Sequence, residues 1–417
     1  MVQITVHPSP DSTGTRTRGA HWSNDHGTKF HNPWESDSYP TLWPILKTIY
    51  LMATTKDPTR AQAKTLIPHI PNPDFGKSLN EDELKATWLG HASVLVEFPT
   101  APSTSSSSGT TAPADVKGAQ AQHIQGGVGT VGLGEGGKRG ARVLFDPVLG
   151  EGMAFWGLGP KRDSSSPCKI PSLPQIDIIA ISHNHYDHLD LPTLSSVLAS
   201  QKEQYGSEPV LFLPLNNRHV VADLGLEGRV IELDWWEGRR VVVDGVGEVE
   251  MTCSTSLAPC QHTSSRYLWD KDNSLWSSWV AKDVRPGVFF GGDTGYCSLP
   301  SHSHHSAHLP PPPSLSYCPA FKDIGTKLGP FTLGLIPIGA YFPRMSMSGM
   351  HASPGDSVRI FRDTKCKQAL GIHWGTFRMT VEPLTEPPEM LAAAVREAGL
   401  EEGVFGVCAI GETRGYS

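Results

Sequence analysis

Apolar residues along this chain fall into short runs, broken by Gly, Pro and polar clusters, and most of the runs have the length of strands. They predict strands over 85–98, 142–145, 176–182, 210–214, 229–233, 287–290, 332–338, 369–373 and 403–410. A further pair, 240–243 and 248–254, turns across Asp244 and Gly245. Helical spacing predicts helices over 194–203, over 354–363 with Ser353 as cap, and over 388–398 ahead of Gly399. Strands interspersed with helices describe an α/β sandwich rather than an all-β barrel. Upstream, Leu42, Ile45, Leu46 and Ile49 recur at the period of one helix face. Such a stripe packs on a core or lies on a membrane, and Trp43, Lys47 and Tyr50 beside it keep the membrane reading open for 41–52.

Composition narrows the folded part. The 417 residues can bury a large core, but 42 Gly, 35 Pro and many Ser and Thr dilute it. The expected division is a disordered tail over 1–28, an extension over 29–84 that holds the amphipathic segment, and one domain over 85–417. Two low-complexity inserts interrupt that domain, at about 100–140 and 298–317. The first lies between two strand-like runs and reads as a long disordered loop on a hairpin. The second carries His302, His304, His305 and His308, yet its four consecutive prolines leave the imidazoles without a strand or helix to fix them. A disordered insert is expected there, not a metal site.

Charge and cysteines exclude several classes. A net charge of −7 with no Lys/Arg cluster argues against a nucleic-acid-binding face. Seven cysteines without a CxxC pair read as reduced thiols of an intracellular protein. No apolar stretch reaches the roughly 18 residues of a membrane span, and the first twenty residues lack the apolar core of a secretory signal. That acid-poor, Ser/Thr-rich start leaves a mitochondrial transit peptide as the alternative to a plain tail.

The chemistry concentrates in "ISHNHYDHLD", 181–190, directly behind a buried-strand pattern where α/β sheets place ligands. His183, His185, Asp187 and His188 combine neutral imidazoles with a carboxylate that lowers the site's positive charge, as a zinc site requires. His183 and His185, two apart, can converge on one ion while Asp187 and His188 turn toward another. Further donors must come from elsewhere. Asp293 in "GVFFGGDTGY" follows an apolar strand and two glycines, although an Asp-Thr-Gly alone is more often a turn. His373 in "GIHWGTF" could by itself be a core histidine, and His262 in "APCQHTSS" carries little local signal.

The spacing at 183, 185, 187 and 188 resembles the metallo-β-lactamase superfamily. That resemblance implies a four-layer αββα sandwich with two mixed β-sheets flanked by helices, and metals at one edge of the sheets. It also implies that His183, His185 and His262 hold one ion, that Asp187, His188 and His373 hold the other, and that Asp293 bridges them. Asp146 in "LFDPVL" becomes an acid close behind the ligands, its alternative being a turn former before Pro147.

The segments "KFHNPWES", "TWLGHASVLVEF", "LWSSW", "GGDTGYC", "PIGAYFPR" and "GIHWGTF" are similar, in this order, to the family of N-acylphosphatidylethanolamine-hydrolysing phospholipases D. Coverage runs from about Lys29 to the C-terminus apart from the two inserts. Thr263 departs from the family's usual Trp, and Phe342 from its usual acid. What the resemblance implies is a zinc-dependent phosphodiesterase with two Zn2+ ions. It would hydrolyse N-acylphosphatidylethanolamine to N-acylethanolamine and phosphatidic acid by a metal-bridging hydroxide. Asp187 and Asp293 would be catalytic, with Tyr186 and His351 orienting substrate or assisting the leaving alkoxide; His351 reads equally as a helix-entry residue. The implied partners are a phospholipid substrate and a membrane surface, cytosolic or mitochondrial, with no nucleic acid and with a homodimer compatible. The alternative is a soluble lactonase or small-molecule phosphodiesterase on the same fold. A di-iron redox protein would want a Glu where His185 stands, and a metal-free scaffold would have lost ligands.

Overall fold

The computed structural model describes residues 3–8, 18–37, 42–100, 122–124, 139–153, 159–226, 228–252, 260–283, 287–300 and 305–417. One sheet runs in the order β16 (Thr413–Tyr416), β2 (Leu84–Gly90), β3 (Ser93–Glu97), β5 (Arg142–Phe145), β6 (Ile178–Ala180), β7 (Val210–Pro214) and β8 (Val230–Leu233). The other runs β15 (Phe405–Gly406), β14 (Cys366–Ile372), β13 (Phe331–Pro337), β12 (Gly287–Phe290), β11 (Trp279–Lys282), β10 (Gly247–Thr252), β9 (Gly238–Val243), β1 (Ile4–Pro8) and β4 (Gln122–Ile124). Both are mixed: β5 to β8 are parallel in the first and β12 to β15 in the second, the remaining pairs being antiparallel.

Strand alternation decides which residues meet between the sheets. Val143, Phe145, Ile178, Ala180 and Phe212 face inward from one sheet, and Trp279, Val288, Phe290 and Leu335 from the other. Phe145 stacks on Phe290 at 4.6 Å between ring centroids, and Phe212 meets Trp279 edge-on at 6.0 Å. Each such ring contributes about 1.5–3 kcal/mol by leaving water. The intervening residues Leu144, Ile179 and Leu211 point outward and pack with Leu194 and Val197 of α3 (Leu191–Tyr205). On the other flank Phe289 meets Phe321 of α4 (Ala320–Lys327), and α6 (Pro354–Asp363) lies against β13 and α7 (Glu386–Glu397). The expected four-layer αββα sandwich is the one observed.

Several boundaries differ from the sequence reading. The run 85–98 is a hairpin, β2 and β3, turning at His91 and Ala92. Every residue from 84 to 98 is buried, so no polar turn signal marks the reversal. The disordered tail expected over 1–28 does not hold at its start. Ile4 and Val6 alternate inward with Thr5 and His7, and β1 pairs along β9 from Ile4↔Val243 to Pro8↔Arg239. Within the same tail His21 is buried and bonds Asp234 at 2.7 Å. The second insert is also partly ordered. Gly355 N donates to Ala307 O at 2.8 Å, which ties 305–317 to α6, while His302 and His304 lie outside the described residues. Most of the first insert lies outside them as well, although β3 and β5 do form the hairpin that flanks it.

β11 and β16 were unmarked in the sequence because one follows a polar loop and the other is a half-exposed edge. Cys168, Cys260, Cys297, Cys318, Cys366 and Cys408 are buried free thiols, and Cys253 lies outside the described residues. Among the described residues no helix is long and apolar enough to cross a membrane.

Candidate metal centre

The parallel strands end together, and their C-terminal ends carry the polar residues. β5 delivers Asp146, β6 delivers the loop 181–190, β12 delivers Asp293 and β14 delivers His373. The last residue of that loop is structural: the Asp190 carboxylate accepts from Thr193 N at 3.2 Å and caps α3, which closes on Gly206 in the left-handed region. Gly292, at φ +60, lets the Asp293 loop pass the 181–190 loop, since a Cβ there would lie 2.7 Å from Ser182 Cβ. His91, Asp146 and His373 also hold positive φ, at 51°, 38° and 65°, strain of about 1–3 kcal/mol each that the surrounding packing must hold.

All seven proposed ligands converge. His183 Nε2 stands 2.8 Å from His185 Nδ1, and His262 Nε2 stands 3.3 Å from the same atom. On the other side His188 Nε2 and His373 Nε2 are 3.3 Å apart, with Asp187 Oδ2 at 3.5 and 3.7 Å from them. Asp293 lies between the two groups. Its Oδ2 is 3.1 Å from His188 Nε2 and 3.8 Å from His262 Nε2, and its Oδ1 is 2.9 Å from His373 Nε2. His185 is partly exposed while the other six are buried.

The donor set suits a divalent cation. Among the described residues, every ion-pair partner of Asp187 and Asp293 is a histidine; no lysine or arginine balances these buried acids. Burial, reinforced by the neighbouring imidazoles, holds His183 and His262 well below the usual histidine range, and burial lowers His185 despite the nearby acids. A neutral imidazole keeps one N–H and offers a cation the lone pair of its other nitrogen. Burial opposes charge on His188 and His373 too, but Asp293 and Asp187 outweigh it, lifting His188 well above its ordinary value and His373 to about 9. Positive charge is wanted at that spot, which a divalent cation would supply.

The ligands are held from behind. Asp146, fully buried, accepts from His188 Nδ1 at 2.6 Å and from Ser182 N and Oγ at 2.7 and 2.5 Å, so it is the supporting acid expected and not a simple turn former. His262 Nδ1 donates to Met350 O at 3.0 Å. The 29–84 extension takes part here: Asn32 Nδ2 donates to His262 O at 2.8 Å, and Ser36 Oγ to Gln261 Oε1 at 2.6 Å. Replacing Asp146 with Ala is expected to weaken binding of a divalent metal about 10- to 100-fold, read by chelator competition, because His188 loses the bond that fixes its ring.

Tyr186 and His351 fall beside the ligands with different prospects. The Tyr186 hydroxyl donates to Arg266 O at 3.0 Å, and the Arg266 guanidinium lies 4.1 Å from its ring. That hydroxyl's proton is committed to the main chain, which favours anchoring a loop over the expected contact with substrate. His351 keeps Nδ1 3.8 Å from Asp293 Oδ2 and is partly exposed; burial, eased by Asp293, lowers its pKa to about 4. Thr263 gives its hydroxyl to Asp272, and Phe342 is exposed.

Three further features were not singled out in the sequence. His91, in the β2–β3 turn, places Nε2 3.0 Å from Asp187 Oδ2; a histidine directly behind Gly90 at the end of an apolar run was its signal. Arg266 donates to Asn184 O and Leu189 O and carries a loop whose tip, Tyr267, Leu268 and Trp269, projects into solvent with Leu268 99% exposed. Asp270 accepts from the Arg266 and Tyr267 amides and stiffens that tip. Val148, Met153 and Phe377 form a small apolar cluster against Tyr186 and Met379.

A family model described as a beta-lactamase superfamily domain matches residues 141–374. The N-acyl-phosphatidylethanolamine-hydrolyzing phospholipase D 1 of Caenorhabditis elegans is 29% identical over 376 residues, 88% of this chain and 86% of that protein. The mitochondrial N-acyl-phosphatidylethanolamine-hydrolyzing phospholipase D of Saccharomyces cerevisiae is 31% identical over 268 residues, 64% of this chain and 50% of that protein. With its αββα layers and the donors gathered at their edge, the chain belongs to the beta-lactamase superfamily, as a metal-dependent hydrolase homologous to those phospholipases.

Proposed function

We propose that this chain is a zinc-dependent phosphodiesterase of the phospholipase D type, which hydrolyses N-acylphosphatidylethanolamine to an N-acylethanolamine and phosphatidic acid. The observation that carries the reading is the complete donor set, His183, His185, Asp187, His188, His262, Asp293 and His373, in a chain that aligns with the nematode phospholipase over most of both lengths. His183, His185 and His262 would hold one ion, Asp187, His188 and His373 the second, with Asp293 shared. Bound divalent ions supply Lewis acidity at the phosphoryl oxygens and an activated water. The chain's own residues do the rest. Asp146 keeps His188 aimed, and His351, with its Nδ1 unpartnered among the described residues, is assigned to hydrogen-bond a phosphoryl oxygen of the substrate.

Two apolar features support a lipid. The helix α1 (Leu42–Thr54) turns Trp43, Leu46, Ile49 and Tyr50 to solvent, and the Leu268–Trp269 tip does the same from the loop that holds the 181–190 carbonyls. A peripheral position on an intracellular membrane follows, and the word mitochondrial in the yeast relative's name makes that organelle the first to examine.

Purified full-length chain, analysed for metal and assayed on N-acylphosphatidylethanolamine in mixed micelles, tests the proposal. Near two equivalents of zinc and release of both products are expected. Zinc without lipid cleavage, but with turnover of small lactones or diesters, would move the chain to the soluble alternative. A protein that takes up no metal would remove the mechanism altogether.

A further inference from the structure

His91 is tied into the site more firmly than its place in a hairpin turn requires. Its carbonyl accepts from Trp88 Nε1 at 2.8 Å and from His373 N at 2.9 Å, and its amide donates to Thr376 Oγ1 at 2.6 Å. The ring lies 4.0 Å from that of His373 and meets Phe377 edge-on at 5.3 Å. Within this cage Nε2 reaches Asp187 Oδ2 at 3.0 Å, and the residue is 1% exposed. These bonds hold a left-handed backbone that a simple turn would fill with glycine.

The ring nitrogens separate two roles. A ligating histidine almost always gives its second nitrogen to a carboxylate, carbonyl or water, as His188 does to Asp146 and His262 to Met350 O. His91 Nδ1 has no partner among the described residues. His373 Nδ1 lacks one too, yet its Nε2 stands between two acids, 2.9 Å from Asp293 and 3.7 Å from Asp187, whereas among the described residues the one acid paired with His91 is Asp187. A proton on His91 Nε2 satisfies both atoms of the contact. A proton on Nδ1 would bury an unpaired donor and set a lone pair against a carboxylate.

We infer that His91 is the positioning residue of Asp187: its Nε2–H holds one carboxylate oxygen and so presents the acid to the ion shared with His188 and His373. The role rests on the metal reading of the site and is independent of the lipid. It belongs to the same class of support as Asp146, but serves the acid where Asp146 serves an imidazole.

Full-length His91→Gln and His91→Leu separate this from a merely structural part, since the two replacements are similar in size and only Gln keeps an N–H donor. Zinc affinity is measured on metal-stripped protein by competition with a chromophoric chelator, and unfolding is followed with a chelator present. His91→Leu is expected to bind one of two zinc equivalents 10- to 100-fold more weakly, and His91→Gln to recover most of that loss. Wild-type titration by His91→Leu would overturn the inference, and so would equal weakening in both variants, which marks a ligand or a filler of space. Two variants that unfold early with chelator present yet bind zinc alike and normally would reduce His91 to a fold residue. A wild-type chain that takes up no zinc would overturn the metal reading itself, before any variant is compared.

Discussion

Asp293→Asn is expected to lower the proposed hydrolysis of N-acylphosphatidylethanolamine by about 10²- to 10³-fold, the scale seen when one preorganised electrostatic partner of a transition state is removed. The expectation follows from its place. Its two oxygens lie within 3.8 Å of His188, His262, His351 and His373, so it is the acid common to both groups of histidines. Asn keeps the shape and removes the charge. One carboxylate oxygen becomes an amide that can offer hydrogens where lone pairs are needed, and the donors on either side lose their shared counter-charge. kcat/KM in mixed micelles and zinc per chain by emission spectroscopy check both parts together. A variant that retains two equivalents of zinc and activity within tenfold of wild type would remove Asp293 from its proposed role.

Replacing Trp43, Leu46 and Ile49 together by Ser is expected to reduce partitioning onto liposomes on the order of 100-fold, at about 1 kcal/mol for each half-inserted side chain. The helix makes the prediction specific. It rests on the body through a narrow polar seam, where Thr48 Oγ1 donates to Pro44 O and meets Ser346 Oγ, each at 2.9 Å, with Pro44 and Thr48 its only buried residues. Trp43, Leu46 and Ile49 are 70%, 50% and 58% exposed. They lend little to the fold, so the variant should unfold with wild type while floating less with vesicles. Unchanged flotation would discard α1 as a docking element and leave the Leu268–Trp269 tip to be tested in the same way.

The two predictions draw on different levels of information. Asp293 and its partners could be suspected from residue type and position, because ligands tend to stand where a buried strand ends and glycines permit a tight turn. Even so, His262 and His373 were ambiguous one at a time, and only the folded chain brings them together, at His185 Nδ1 and Asp293. The helix α1 was legible as an amphipathic pattern, but the pattern is the same for a stripe that packs and one that stays in solvent. The seam at Thr48 makes the difference, and it depends on where Ser346 arrives from nearly three hundred residues away.

The same division runs through the chain. Local alternation and spacing determined the strands β5, β7 and β12 to the residue, the cap and extent of α6, the hairpin of β9 and β10, and the metal-binding character of 181–190. These rest on contacts between near neighbours, which leave a period in the sequence. The tertiary structure alone decided that Ile4–Pro8 is a strand, that Asn32 holds the His262 loop, that the Tyr186 hydroxyl bonds Arg266 O, and that His91 stands on Asp187. Each of these joins residues tens to hundreds of positions apart. Such a bond leaves no period behind, because its geometry exists only once the two sheets have packed and brought their edges together.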